Sequence, residues 1–318
     1  MIAFLQTIRA ALAHRFRGKP RAAAPSPQDA AVANARRLER AGELEVALAA
    51  WKKTPPSDLR RDAILRITFK LARGAERSRN WPAAATHFAS LLDLNPDSGK
   101  FKANLEIAAL HAARTAQTAH DWREACRFWL VLRKIVSDTS KVDANLANCA
   151  LNGARRSENA NAVPEALEFW EILSVADSSS DVAFKGRLRC LLKLATIART
   201  DEHLDEALAL YFRILEIAPD DASLRKSAGA IALQAAREAE KDSNFEKALK
   251  FWLALRRIEP DSDLALKNAS QYLLKLARGA EERHDWPAAR NFWQGLLELV
   301  PGDERGLKGL ERANTTAA

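Results

Sequence analysis

Cysteine, glycine and histidine are too few and too dispersed in this sequence to build the common small-motif sites. The three cysteines, Cys126, Cys149 and Cys190, form no Cys-x-x-Cys pair. Their odd number argues against a disulfide framework, so a reducing cytoplasm is the expected location. The twelve glycines make no phosphate-cradling loop, and Gly74, Gly153 and Gly279 fall in helical register, where close packing accounts for them. Neither a His-Glu-x-x-His nor a Gly-x-Ser-x-Gly stretch occurs. The six histidines are scattered; His120, His203 and His284 stand just ahead of a recurring apolar position and read as loop residues, because a metal site needs converging ligands. Carboxylates are plentiful but read as solvated. No catalytic residue, cofactor or metal is expected, and the chain reads as a non-enzyme.

Acid is missing altogether from residues 1–28, which carry Arg9, Arg15, Arg17, Lys19 and Arg21, five of the eight net positive charges; the remainder is near neutral. In this segment Phe4, Ile8, Leu12 and Phe16 recur every fourth residue, one stripe of a helix. The stripe is too short to span a bilayer and contains Arg9. The segment also lacks the leading positive charge and small-residue cleavage site of a secretory signal. Two readings stay open. In one, Phe4, Leu5, Ile8, Arg9, Leu12, Arg15, Phe16 and Arg17 lie as an interfacial helix against the anionic inner face of a membrane. In the other, the stripe folds back to cap the first repeat. Pro20 to Pro27 reads as a linker.

What the chain has in abundance is a repeat. Counting back from Trp286 in steps of 41 lands on Phe245, Leu204, Val163, Trp122 and Trp81, and a step of 37 reaches Leu44, all apolar. Three residues beyond each anchor is an alanine (Ala47, Ala84, Ala125, Ala166, Ala207, Ala248, Ala289), and seven beyond is an aromatic (Trp51, Phe88, Trp129, Trp170, Tyr211, Trp252, Trp293). Nine before each anchor is another alanine: Ala35, Ala72, Ala113, Ala154, Ala195, Ala236 and Ala277. A fixed period of this length signals a solenoid, whose units bury their apolar faces only by stacking.

Each repeat reads as two helices. The second starts at the anchor, with Asn80, Asp121, Asn244 and Asp285 as N-caps, Glu124 completing a capping box on Asp121, and Pro82, Pro164 and Pro287 in the first turn. It stops before Pro96, Pro219, Pro260 and Pro301, or at the serine-rich stretches 137–140 and 178–180. The first helix, such as Leu264 to Glu282, is longer, at about five turns. The alanines are expected where the two helices cross most closely, and the aromatics as knobs between repeats rather than platforms for stacked bases. The expected division is a leading segment, 1–28, then seven repeats, 29–57, 58–97, 98–140, 141–181, 182–221, 222–262 and 263–303, and a capping helix and tail, 304–318. In the first repeat Lys52 to Pro56 replaces the last turn of the second helix.

The order Ala277, Trp286, Ala289, Trp293, Pro301 resembles the tetratricopeptide repeat, and the likeness covers roughly 29–303. It implies an all-α fold, a right-handed superhelical α-solenoid of helix-turn-helix repeats. The repeat is seven residues longer than the family's usual unit of about 34, and the extra length is expected at the start of the first helix. Leu273 and Ala280 stand where the family usually puts aromatics, so a differently shaped groove is expected.

One narrow face of the first helices is basic. It carries Arg66, Lys70, Arg73 and Arg77 in repeat two, Arg114 with His111 in repeat three, Arg155 in four, Arg189 and Lys193 in five, Arg237 and Lys241 in six, and Lys275 and Arg278 in seven; Glu282 is its one acid. The resemblance implies that first helices line the concave side, which would align these residues into a ladder for an anionic partner. The competing reading is a solvated, self-paired face, since Arg36, Arg73, Arg155, Arg237 and Arg278 each precede a glutamate by three residues. Arg66, Lys70, Arg189, Lys193 and Lys275 have no such tether.

The function expected is a scaffold that binds an acidic peptide or protein segment. Two alternatives stand beside it. One is a binder of RNA, DNA or an acidic polysaccharide, disfavoured by the near-neutral array and by the lack of aromatics interleaved with the cations. The other is a module or subunit that positions a larger enzyme, such as one of cell-surface polysaccharide synthesis.

Overall fold

The computed structural model describes residues 27–316, all of whose regular elements are α-helices. The leading apolar stripe and its arginines, Phe4 to Arg17, lie outside the described residues. Two compact lobes meet between Val142 and Asp143. The first lobe contains α1 (Pro27–Arg40), α2 (Leu44–Lys53), α3 (Asp58–Arg77), α4 (Trp81–Leu94), α5 (Gly99–Thr118) and α6 (Trp122–Ile135). The boundary falls inside α7 (Ser140–Asn159), and the second lobe continues with α8 (Val163–Ala176), α9 (Asp181–Thr200), α10 (Leu204–Ile217), α11 (Ala222–Lys241), α12 (Phe245–Ile258), α13 (Asp263–Glu282), α14 (Trp286–Leu299) and α15 (Glu304–Thr316). Within each lobe successive helices pack on one another as stacked pairs.

Every second helix starts at its anchor, and four of the N-caps act as expected. Asn80, Asp121, Asn244 and Asp285 accept the backbone N–H three residues on, satisfying a donor the helix cannot. The capping box at Asp121 does not close. Its backbone N–H donates to the Ala116 carbonyl, and the Glu124 carboxylate is taken by Arg127 at 2.6 Å instead. The turn explains why: the residue two before each anchor (Gly42, Arg79, His120, Asn161, Glu202, Ser243, His284) is left-handed, with φ between 56° and 80°. The following N–H then reaches five residues back, as from Asn80 to Ala75, so the cap's own donor is already engaged.

The six full first helices, α3, α5, α7, α9, α11 and α13, are 20 residues long, whereas the full second helices are 14; the length of the repeat therefore resides in its first helix. In the first repeat α2 has only 10 residues before the Thr54-Pro-Pro stretch. Second helices end two residues before Pro96, Pro219, Pro260 and Pro301, because the residue preceding a proline is pushed out of helical geometry.

All fourteen recurring alanines are 0% exposed, which marks the closest approach of paired helices. The aromatics are core: Trp51, Phe88, Phe128, Trp129, Phe169, Trp170, Phe251, Trp252 and Trp293 are buried, while Tyr211 and Phe292 are half-buried. The next first helix accommodates them with small residues. A Cβ added to Gly186 would overlap the Trp170 ring, and one at Gly309 the Trp293 ring. These indoles thus lie under the neighbouring backbone, where a larger residue would force helices apart.

Candidate functional site: the polar seam of the first helices

Each tryptophan seven residues beyond an anchor carries an indole N–H that burial would leave without water. In three repeats of the second lobe a glutamate twelve residues upstream, on the first helix of the same repeat, supplies the acceptor; the Trp51 and Trp129 Nε1 groups are buried without one. Trp170, Trp252 and Trp293 donate Nε1–H to Glu158, Glu240 and Glu281 at 3.0, 2.8 and 2.9 Å. The same carboxylates then receive a donor from the next first helix. Arg189 reaches Glu158 at 2.5 Å, and Arg312 reaches Glu281 at 3.1 Å. In the first lobe Arg66 grips Glu39 through two bonds of 2.9 and 3.0 Å. Where repeat seven has Gln271 in place of this arginine, Tyr272 lies beside Glu240; burial and then that carboxylate push the phenol's pKa up to about 12.

Electrostatics follow from these contacts. The Arg66 hydrogen bond holds the Glu39 carboxyl below its ordinary value against the opposing effect of burial. Burial pushes Glu158 upward, but the bonds from Arg189 and Trp170 outweigh it and the net shift is down. Beside it, burial and then the Glu158 charge raise the Cys190 thiol to about 11, so this cysteine is a thiol rather than a thiolate at neutral pH.

This seam changes the reading of the basic face. Of the five arginine–glutamate pairs expected within helices, only Arg73–Glu76 forms. Its repeat is the one with Phe88 in the tryptophan position, which has no N–H to claim Glu76. In the first repeat Glu39 is taken by Arg66, and in the second lobe the glutamate turns inward to the indole, so Arg155, Arg237 and Arg278 are left exposed without an ion pair. Arg66 and Arg189, which lack a partner on their own helix, are the tethered ones, held by glutamates 27 and 31 residues upstream. Lys70, Arg77, Arg114, Lys193 and Lys241 are exposed and form no ion pair within 4.0 Å. Lys275 sits 3.4 Å from the Phe245 ring centroid, a cation–π contact. In the first lobe Arg66, Lys70, Arg73 and Arg77 share α3 while Arg114 lies on α5; in the second, Arg189 and Lys193 share α9, Arg237 and Lys241 share α11, and Lys275 and Arg278 share α13.

Sequence reading missed the tryptophan-bound glutamates. Their signal was present: glutamate stands five residues before the anchor in the repeats whose aromatic is Trp170, Trp252 or Trp293, and also before Trp51, where Arg66 takes Glu39 and the Trp51 Nε1 is left buried without a partner. In repeat three the position is Gln117, and the Trp129 Nε1 is buried without a hydrogen bond. The tethering arginines follow the same rule, since Arg66, Arg189 and Arg312 each succeed a repeat with Glu39, Glu158 or Glu281.

The seam makes stability pH-dependent. Because Glu39 and Glu158 have lowered folded-state pKa values, their contribution is present above the unfolded value of about 4.3 and is lost as pH falls through the folded values. Glu158→Leu, which leaves Trp170 and Arg189 without their acceptor, is expected to cost about 2–4 kcal/mol at pH 7; Glu158→Gln, which retains an acceptor, should cost less. Urea denaturation of the three proteins at pH 7 and pH 3.5 tests this, with the gap between wild type and Glu158→Gln narrowing at the lower pH.

No group of three His, Cys, Asp or Glu side chains among the described residues is arranged to hold a metal, and no described helix is long and apolar enough to cross a membrane. The stacked helix pairs, with their anchors, buried alanines and seam, define a helical-repeat α-solenoid. No protein-family model matches the chain, and no curated protein aligns with it. Among solved structures it is similar to the tetratricopeptide domain of P58(IPK), at 16% identity over 92% of this chain and 79% of that one, with a TM-score of 0.21. A tetratricopeptide-repeat protein from Bacteroides fragilis matches at 13% identity over 66% of this chain and 98% of its own, with a TM-score of 0.26. Human IFIT1, in a dimer with PPP-AAAA, matches at 14% identity over 86% of this chain and 69% of its own, also with a TM-score of 0.26. At these scores the class rests on the repeat geometry of the chain itself.

Proposed function

We propose that the array is a non-enzymatic scaffold whose first-helix cations hold an acidic segment of a partner protein. The observation that carries this reading is the diversion of the glutamates. An arginine stands eight residues before the anchor in every repeat but the fifth, and in the second lobe the acid that would neutralise it on its own helix is bound to a buried indole. Arg155, Arg237 and Arg278 thereby keep their charge for an outside ligand, on rigid helices that impose spacing. The guanidinium group suits a carboxylate because it donates two parallel hydrogen bonds.

Nucleic acid is the second reading, and the aromatics speak against it, since nearly all of those seven residues past the anchors are core and few are available to stack on bases. Fluorescence anisotropy of a labelled Glu-rich peptide, with a mixed RNA pool as the comparison, separates the two. The acidic peptide should bind the full chain and lose at least about tenfold in affinity with the triple variant Arg155→Glu, Arg237→Glu, Arg278→Glu, while helicity is unchanged. RNA binding with a steep salt dependence and no peptide binding would replace this reading with the second.

A further inference from the structure

The anchor residue does more than start a helix. In the first lobe Trp81 stacks on His111, which lies on the first helix of the next repeat, with centroids 4.3 Å apart and planes 19° apart. In the second lobe Phe245 stacks on Tyr272 at 6.0 Å and 23°, and its face is covered by Lys275. His111 and Lys275 are equivalent, eleven residues before their own anchors. The ring of one repeat therefore fills the gap beside the next first helix. Repeat four, like repeats one and five with Leu44 and Leu204, has an aliphatic anchor, Val163, and the equivalent residue on α9 is Lys193.

A groove of about 860 Å³ is found there, walled by Val163, Pro164, Leu188, Leu192 and Ile197. Its apolar wall runs from Val163, buried at its base, through half-buried Leu188 and Leu192 to Pro164 and Ile197, which are exposed, Ile197 at 51%. At the rim stand Lys185, Arg189 and Lys193, and Thr196 occupies the position that is arginine in the other repeats. The carboxylates beside this rim are Asp181, paired with Lys185 at 2.6 Å, and Glu158, paired with Arg189 at 2.5 Å. Three cations against two carboxylates leave Lys193 as the unmatched charge.

We propose that this groove is a specificity pocket which receives an aromatic side chain of the acidic partner segment, in the place where repeats two and six supply their own ring, with Lys193 engaging a neighbouring carboxylate. The inference rests on the acidic-segment reading and adds to it a fixed point for register along the cation rows. Charge selects the occupant. The chain's own leading segment offers Phe4, Ile8, Leu12 and Phe16 but only positive charges, which the rim repels. A partner segment carrying both an aromatic and acids satisfies wall and rim together, the anchor arrangement typical of binding hot spots.

The repeat itself supplies the test variant. Val163→Trp restores the anchor found in repeats two, three and seven, so it should fill the groove in a fold already built for it. Two labelled Glu-rich peptides, one with a single central Trp and one with Ser in its place, are titrated by anisotropy into the full chain. The Trp peptide should bind about tenfold more tightly, and Val163→Trp should remove that preference while leaving affinity for the Ser peptide and the melting temperature unchanged. Ile197→Asp, on the exposed wall, should do the same if Val163→Trp folds poorly. Equal binding of both peptides, or a preference that survives both variants, overturns the pocket while leaving the acidic-segment reading intact. Binding of neither peptide overturns both. A Trp preference that is as strong in a Lys-rich peptide defeats the charge argument, and a dimer dissolved by Val163→Trp in size-exclusion chromatography assigns the groove to a second copy of the chain instead.

Discussion

Trp170→Ala should remove about 3–5 kcal/mol of stability, among the largest effects open to a single substitution in this fold. The indole is 2% exposed, lies beneath Gly186 of the next first helix and donates to Glu158. Removing it opens a cavity that the neighbouring helix cannot collapse to fill, because α9 is also held by Arg189 to Glu158 and by its own packing on α10. It also takes from Glu158 one of its two strong donors. Urea denaturation followed by circular dichroism should show a clear fall in midpoint, together with a separate early transition if the stack uncouples at repeat four. An unchanged midpoint would mean that the indoles do not hold adjacent repeats together.

Ala236→Phe attacks the same architecture from the opposite direction. Ala236 is 0% exposed on α11 and Ala248 is 0% exposed on α12, the helix that packs against it. A ring at that crossing cannot adopt a rotamer without moving one helix, and overpacking of this kind costs about 1–3 kcal/mol, more where the backbone has to shift. Since the position is alanine in all seven repeats, Ala195→Phe in the preceding repeat should give a cost of similar size. Thermal melts of the two variants test this. Should either variant melt as the wild type does, the alanines would not be setting the helix spacing.

The helical architecture was legible because its signals are local or periodic. Anchors, prolines and N-caps act within one turn, and alanine at a fixed offset reports a close crossing wherever it occurs. The capping box at Asp121 misled because Arg127 and the left-handed residue before the turn compete for its groups, and neither belongs to the four-residue pattern. The basic face was legible as a row of residues but not as a pattern of charge. Helix spacing suggested Arg155 with Glu158 and Arg278 with Glu281, whereas buried indoles twelve residues away claim both acids. That outcome depends on which face of the first helix the next repeat covers, a three-dimensional fact. The groove at Val163 was invisible for a related reason, since a valine at an apolar position breaks no rule of the repeat and matters only once the rings at Trp81 and Phe245 are seen to fill a gap.

Charge exchange tests the central claim most directly. Glutamate is placed at Arg114, Arg155, Arg237 and Arg278 together, and binding of a labelled Glu-rich peptide and a Lys-rich peptide of the same length is measured for both proteins by anisotropy. The wild type should bind the acidic peptide and reject the basic one, and the exchanged protein should show the opposite preference with its helicity intact. If the exchanged protein still binds the acidic peptide as tightly as the wild type does, the first-helix arginines are a solvated surface and not the binding face.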